Sequence, residues 1–573
     1  MSRLRDLYGT DEPPVPVEAF ACGPWSFGLA GGALRHIALH GEEAVRGIAF
    51  LVRDRDWGTL VPQITGAHVD RSGERLQMRH TAHYVNGPGV LEVAVTVDVT
   101  PDRLAMRAVG RARGRFETNR AGFTVLHPIR DVAGQWLSVR HGDDTTEETR
   151  WPGLIAPWQP VTDIAALTHR VGGHLLRCDL AGDTFEMEDQ RQWGDASFKT
   201  YNRPLARPWP YVIDEEAVLD QSVTLTWQKA ARSVVVSPAP RAAQPPFPDM
   251  ALVITPQDAR RLAGSPADVD IVAPQRLLCH LDATLGDVAG QCAAFAAAQA
   301  VCPAQTFDLE LVAVCAGDPG AELQAIAVAM AQAGFAPASM IVCPAVDRQS
   351  TPPGSEWPDC PPLEAIHAAA AVAFAGLIRG GGMVSFFPEL NRKRPPMDLL
   401  DFVAFGLCPI VHDAGDAAVM ETLEAVPAIM ASARHIAGDR AVRIGPATIA
   451  MRQNPYGSRT IPNPGAERLC MTDDDPRHRA RFGAAYALGL AAALAPAGAK
   501  VWTPAGLYGP RGAEADWPIT QVLRALARVA RQTVQEARVN GGRAVLAVGD
   551  TTFAANLTDR DRPDLPAYGW RMA

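Results

Sequence analysis

Long apolar runs, paired cysteines and dense basic stripes are all missing from this 573-residue sequence. The longest apolar stretch, Ala368 to Ile378, is too short to span a bilayer, so no membrane partner is expected. Cys22, Cys178, Cys279, Cys292, Cys302, Cys315, Cys343, Cys360, Cys408 and Cys470 form no C-x-x-C pair, which argues against a disulfide framework. Several fall in strand-like runs such as LELVAVC and SMIVC, where a thiol behaves as a small buried hydrophobe. A net charge of −9 and a pI near 5.9, with no clustered Lys or Arg, leave no footprint for nucleic acid. The opening MSRLRDLYGTDEPPVP has no apolar signal core, and its early Asp and Glu argue against a transit peptide, so a cytoplasmic location is expected. No Rossmann fingerprint, P-loop, H-E-x-x-H or G-x-S-x-G elbow occurs, which removes the usual signatures of nucleotide and zinc sites and weakens a serine-nucleophile mechanism. No cofactor is expected.

What is present is the composition of a folded protein, 47% apolar and 20% charged, with length enough for two to four domains. From about Trp25 to Gln228 the pattern has period two. Leu91, Val93, Val95 and Val97 alternate with polar or small residues, as do Val223, Leu225 and Trp227. Short alternating runs between Gly, Pro and Asp turns predict an N-terminal antiparallel β-sandwich over residues 1–236. The Pro-rich segment 237–249 reads as a stiff linker.

Residues 250–540 then alternate short apolar runs with Ala-rich helical ones, the signature of a parallel sheet. Seven strands are predicted at RLLCHLDA, LELVAVC, SMIVCP, MVSFFPE, CPIVHD, ATIAM and AKVWTP, and an eighth at either 251–255 or 543–548. A helix is expected over Met397 to Phe405 and another over Ile519 to Ala537. The unit count fits a TIM (β/α)8 barrel better than an open doubly wound sheet. Gly380 to Gly382 are expected to end a helix ahead of a strand. Residues 541–573 read as a small C-terminal β segment capping the sandwich.

Barrel chemistry comes from strand C-termini and the loops after them. Those positions hold His280, Asp282, Asp347, Arg348, Glu389, Asn391, His412 and Asp413, followed by the long loop Arg452 to Asp475 with Asn454 and Tyr456. Glu389, after MVSFF, would be partly desolvated and so suited to general acid or base work, with a salt bridge to Arg392, Lys393 or Arg394 as the bland alternative. His280 with Asp282 and His412 with Asp413 invite a metal reading, but the full ligand pattern is missing and no metal site is assigned. Cys408 is expected to begin its strand, the wrong end for a nucleophile. The pairs His36/His40 and His80/His83 read as solvated strand positions.

The most unusual segment is FEMEDQRQWGDASFKTYNRPL, residues 185–205. Glu186 and Glu188 share one strand face, opposite Phe185 and Met187. Arg191, Trp193 and Lys199 follow closely. Such a run is either a solvated face or an edge leaning over the barrel mouth, adding a carboxylate, a cation and an aromatic wall to a polyol site, with Trp151, Trp158 and Trp209 nearby in sequence.

In this segment, and in AFLVRDRDWGT at 49–59, the chain resembles the D-apionate lactonase family of bacterial D-apiose catabolism. The resemblance extends over the whole chain and implies a sandwich-like domain, a TIM barrel and a small C-terminal domain. It implies a small-molecule sugar lactone as partner and hydrolysis of D-apionolactone to D-apionate. Water attack then requires a base, oxyanion donors and an acid for the leaving alkoxide. The catalytic candidates are Glu389 as base, His412 or Arg452 toward the oxyanion, and Asp282 or Glu188 for the acid or the substrate hydroxyls. Glu188, Arg191, Trp193, Lys199, Asp347, Asn391, Arg452, Asn454 and Tyr456 are candidates for binding substrate. The rival is a glycoside hydrolase, which needs two opposed carboxylates about 5 to 9.5 Å apart. A later strand, AKVWTPAGLYGP, supplies no partner acid for Glu389. A non-catalytic sugar-binding protein would be expected to carry a secretion signal, and none supports it; an isomerase or epimerase acting on the same acid stays open, and the sequence leaves the oligomeric state undetermined.

Overall fold

Period-two alternation from residue 18 onward folds into two antiparallel sheets, of seven and nine strands. Their facing apolar residues, among them Trp25, Ile48, Phe50, Val93, Leu104 and Leu225, interlock in one core. The computed structural model describes residues 2–230, 244–352, 355–457 and 459–573. Of the Pro-rich linker, 237–243 lies outside the described residues. Its end docks under the barrel, where the Phe247 amide donates to the Gln532 carbonyl at 2.8 Å.

The seven-stranded sheet has work on both faces. Phe123, Val125, Met187 and Phe198 point into the sandwich core. In neighbouring strands Arg53 pairs with Arg120, Leu126 with Lys199, and Lys199 with Glu188, which sets these side chains on the opposite face. That face covers the barrel mouth.

Eight parallel strands close the barrel: Asp249–Ile254, Arg276–Asp282, Thr306–Ala313, Ser339–Pro344, Ile378–Phe386, Phe402–Leu407, Ala441–Ala447 and Val501–Gly506. The first settles the open choice in favour of 251–255. Two expected strands move upstream. FVAFGL, buried along its whole length, is the sixth strand, where a helix over Met397 to Phe405 was expected. A parallel strand buried on both faces loses its alternation and is indistinguishable by pattern from a buried helix. CPIVHD therefore follows that strand, as ATIAM largely follows the seventh. Cys408 lies past the strand's C-terminal end, but its Sγ contacts the Ile449 carbonyl at 3.4 Å and burial pushes the thiol up to about 12. Gly380 to Gly382 lie inside the fifth strand instead of ending a helix. A Cβ at Gly380 would overlap the Phe402 ring, and one at Gly382, φ +127°, the Ala404 carbonyl.

Helix Arg481–Leu494 is buried on every side but its first residue, because the barrel wall lies on one side and the C-terminal sheet on the other. That sheet starts at Val534, within the stretch expected as helix, and packs Leu546, Val548 and Phe553 onto the barrel rather than capping the sandwich. All ten cysteines are free, and among the described residues no helix is long and apolar enough to cross a membrane.

Ion pairs clamp sandwich to barrel. Arg46 bridges Glu43 and Glu424 at 2.9 and 3.0 Å, and Arg35 reaches Asp413 and Glu421 at 3.4 and 3.3 Å. His36 is half exposed, as expected of a solvated strand position, and contacts Glu421 at 3.0 Å and Glu43 at 3.5 Å. Hydrogen bonds to Glu421 and then Glu43 outweigh burial and raise its pKa to about 9. Stabilisation from a raised histidine is complete below its unfolded value and is lost as pH rises through the folded one. The thermal midpoint should therefore fall between about pH 6.5 and 9. His36→Gln should flatten that fall, measured by thermal denaturation across the range. An unchanged slope in the variant would assign the dependence to another group.

Candidate active site

Between the second face of the seven-stranded sheet and the loops of the barrel mouth lies a partly open cleft, with about 650 Å³ of atom-free space when the adjoining open solvent is included. The sheet contributes Arg53, Arg120, Lys199 and Glu188. The barrel contributes Arg392, His412 and Tyr456, and Trp57 and Trp193 wall the sides.

His412 reaches the cleft because its strand ends at Leu407, leaving a loop that meets the sandwich. Its Nδ1 lies 2.7 Å from Oδ2 of Asp195, with the Gln190 amide 3.2 Å from the same nitrogen. An ionised carboxylate only accepts, so the contact with Asp195 places a proton on Nδ1, and in the neutral ring the lone pair is then on Nε2. No hydrogen bond to Nε2 occurs among the described residues. Trp193 stands edge-on to the imidazole, ring centroids 5.8 Å apart, and tilts against Tyr456 at 5.4 Å. Tyr456 is fixed by Asn454, whose Oδ1 accepts from the Tyr456 amide at 2.9 Å and whose Nδ2 donates to the Arg459 carbonyl at 3.1 Å.

Glu188 is paired with Lys199 at 2.5 Å and accepts from the Trp193 indole at 3.2 Å. Burial alone would raise its pKa. The charges of Lys199 foremost, then of a protonated His412 and of Arg392, prevail and hold it down at about 2. Arg191 sits behind this layer, buried against Asp189 at 2.7 Å and donating to the Pro152 carbonyl at 2.9 Å. It anchors the turn that carries Gln190 and Trp193 and does not line the cleft. Trp151 is a sandwich core residue, while Trp158 lies over Arg392 and Trp209 against Trp57.

The remaining candidates lie around the barrel mouth and outside the cleft lining. Glu389 is buried in a short helix, accepting from Ser350 Oγ at 3.0 Å, the Thr351 amide at 3.1 Å and Arg392 at 3.1 Å. Asp347 pairs with Lys393, and Asn391 donates to the Ile155 carbonyl at 3.1 Å. Asp282 holds Arg348 at 2.7 Å. Arg452 is drawn into the barrel by Glu310, at 2.5 Å, which also meets His280 at 2.7 Å. Burial would raise the Glu310 pKa, but Arg452 and His280 hold it at about 2. Among the described residues no group of three or more His, Cys, Asp or Glu side chains is arranged to hold a metal ion.

Arg53, Trp57, Arg120, Asp195 and Arg392 were not among the expected site residues. Arg53 and Trp57 fall inside AFLVRDRDWGT, the segment that carried the resemblance, which was the available signal. Arg120 stands in an ordinary strand and shows none.

Fold and cleft together define a barrel protein whose mouth is roofed by a β-sheet and lined for a small polar molecule with apolar faces. The chain belongs to the D-apionate lactonase family: the model of that family's N-terminal domain matches residues 5–230, and that of its TIM barrel domain residues 250–542. A Brucella anthropi protein named D-apionate lactonase is 43% identical over 521 residues, 88% of this chain and 85% of its own. Among solved structures, an endoxylanase from Clostridium papyrosolvens aligns at 11% identity and TM-score 0.34, over 55% of this chain and 82% of that one. An α-galactosidase from Geobacillus stearothermophilus aligns at 9% identity and TM-score 0.26, over 94% and 91%.

Removing one partner of a buried ion pair costs on the order of 3–5 kcal/mol, because the other charge is left uncompensated. Lys199→Met should accordingly lower the thermal midpoint, and adding Glu188→Gln should recover most of the loss. A double variant as unstable as the single would show that the charge of Glu188 is not what Lys199 balances.

Proposed function

We propose that this protein is a carboxylic ester hydrolase that opens D-apionolactone to D-apionate in the cleft between sheet and barrel. The observation that carries the assignment is His412, which lines the cleft with Nδ1 held by Asp195 and no hydrogen bond to Nε2 among the described residues. The named activity of the Brucella anthropi relative supplies the substrate.

Nε2 accepts a proton from water as the water oxygen bonds to the lactone carbonyl carbon. The resulting oxyanion develops beside the positive side chains of the cleft, where low dielectric strengthens the attraction. Collapse of the tetrahedral intermediate breaks the ring C–O bond, and the imidazolium returns its proton to the leaving alkoxide. One water is consumed, and the acid product ionises. Asp195 acts through His412 as a positioning residue, fixing the tautomer and balancing the imidazolium. Glu188, ionised and oriented by Lys199 and Trp193, accepts hydrogen bonds from substrate hydroxyls. Trp193, Tyr456 and Trp57 offer faces to the sugar C–H surface.

Glu389, expected as the base, is assigned instead to holding Arg392 toward the cleft, since the helix places its carboxylate behind that guanidinium. Asp282, Asp347 and Arg452 are likewise assigned to holding the barrel mouth in shape, and Asn454 to holding Tyr456. A glycosidase would need two free opposed carboxylates. Among the described residues lining the cleft the carboxylate is Glu188, and Lys199 and Trp193 already engage it.

Proton release from D-apionolactone tests the assignment. His412→Ala should lower kcat by at least about 10²-fold. Asp195→Asn should lower kcat while leaving KM nearly unchanged, because the wrong tautomer presents N–H to water. Near-normal turnover in both variants would move the chemistry elsewhere.

A further inference from the structure

Arg120 is 6% exposed, and its Nε has no hydrogen-bond partner. Its guanidinium lies 3.9 Å above the Tyr201 ring and 5.4 Å from that of Trp57. Directly opposite, on the adjacent strand, stands Arg53, which donates to the Trp57 carbonyl at 3.3 Å and to Thr59 Oγ1. Neither forms an ion pair among the described residues, and the segments outside the description contain no Asp or Glu. Lys199, the next cation on this face, is taken by Glu188.

Like charges set opposite each other in a sheet repel, and a buried cation without an acid is costly. The other arginines as buried as Arg120 are matched: Arg191 by Asp189, Arg477 by Asp475, Arg46 by Glu43 and Glu424. Two unmatched guanidiniums lining one cleft therefore call for an anion from outside. Stacking on Tyr201 fixes the plane of Arg120, and planar forks suit a planar carboxylate.

We propose that Arg53 and Arg120 form a carboxylate subsite for the ring-opened sugar acid, so that the product anion competes with neutral lactone for the cleft. This rests on the cleft being the lactonase site and names a means of its regulation. As product accumulates, turnover slows before lactone is exhausted.

The test is calorimetric titration of the full-length protein with the acid made by alkaline hydrolysis of D-apionolactone, with the neutral polyol of the same carbon skeleton, and with inorganic phosphate, alongside initial-rate inhibition. The acid should bind at least about tenfold more tightly than the polyol, the scale of a charge-assisted hydrogen bond, and inhibit competitively with lactone. Arg120→Met should abolish that preference, and Arg120→Lys, which keeps the charge but not the fork, should retain part of it. A merely structural Arg120 would change stability without changing the preference, and if Arg120→Met does not fold, Arg53→Met carries the same expectation. Equal affinity for acid and polyol, tighter binding of phosphate than of acid, or a preference intact in the Met variants would overturn the subsite. Calorimetry needs no turnover. Lactone hydrolysis without acid preference refutes the subsite alone, whereas acid binding without hydrolysis refutes the lactonase assignment alone.

Discussion

His412 and Asp195 stand 217 residues apart in the chain, one on a barrel loop and the other on the sandwich, and meet at 2.7 Å across the cleft. The barrel alone would leave the imidazole free to rotate and to choose either tautomer. The sandwich alone would present Asp195 with no partner. Docking of the two domains therefore completes the pair, and Arg35, His36 and Arg46, which hold barrel and sandwich in register, also set the spacing between the proposed base and its carboxylate.

The cleft is also a problem in charge. Arg53, Arg120, Lys199 and Arg392 converge on it, while Glu188 and the buried Glu389 offset two of the four. An excess of positive charge held in a partly desolvated space favours states in which the ligand is negative. For lactone hydrolysis these are the tetrahedral intermediate and the carboxylate product, whereas the substrate is neutral. The same excess that would lower the barrier would also retain the product, linking rate to release.

Much of the architecture was legible because it rests on periodicity. The change from period two to alternating strand and helix near residue 250 marks the passage from sandwich to barrel, and the paired Glu186 and Glu188 against Phe185 and Met187 fixed that strand's faces. The sixth barrel strand was missed for the complementary reason. FVAFGL is apolar throughout, so nothing in its pattern separates strand from helix, and the boundary of CPIVHD moved with it. The site divided in the same way. Glu188, Trp193, Lys199, His412 and Tyr456 were visible as chemistry at strand ends or in a crowded segment. For Glu389 the sequence shows the apolar run before it, but not that its carboxylate would be buried against Ser350, Thr351 and Arg392, the last of which lines the cleft. Arg120 had no local signal at all: its role follows from standing opposite Arg53, which depends on sheet register.

We propose that chemistry occurs against His412 in the cleft shared by sheet and barrel. It is tested most directly by a crystal structure with a hydrolysis-resistant lactam of the substrate. The lactam ring is expected between Trp193 and Tyr456, its carbonyl carbon within reach of a water on His412 Nε2. A lactam seated instead over Glu310 and Arg452 inside the barrel mouth, with the cleft unoccupied, would contradict it.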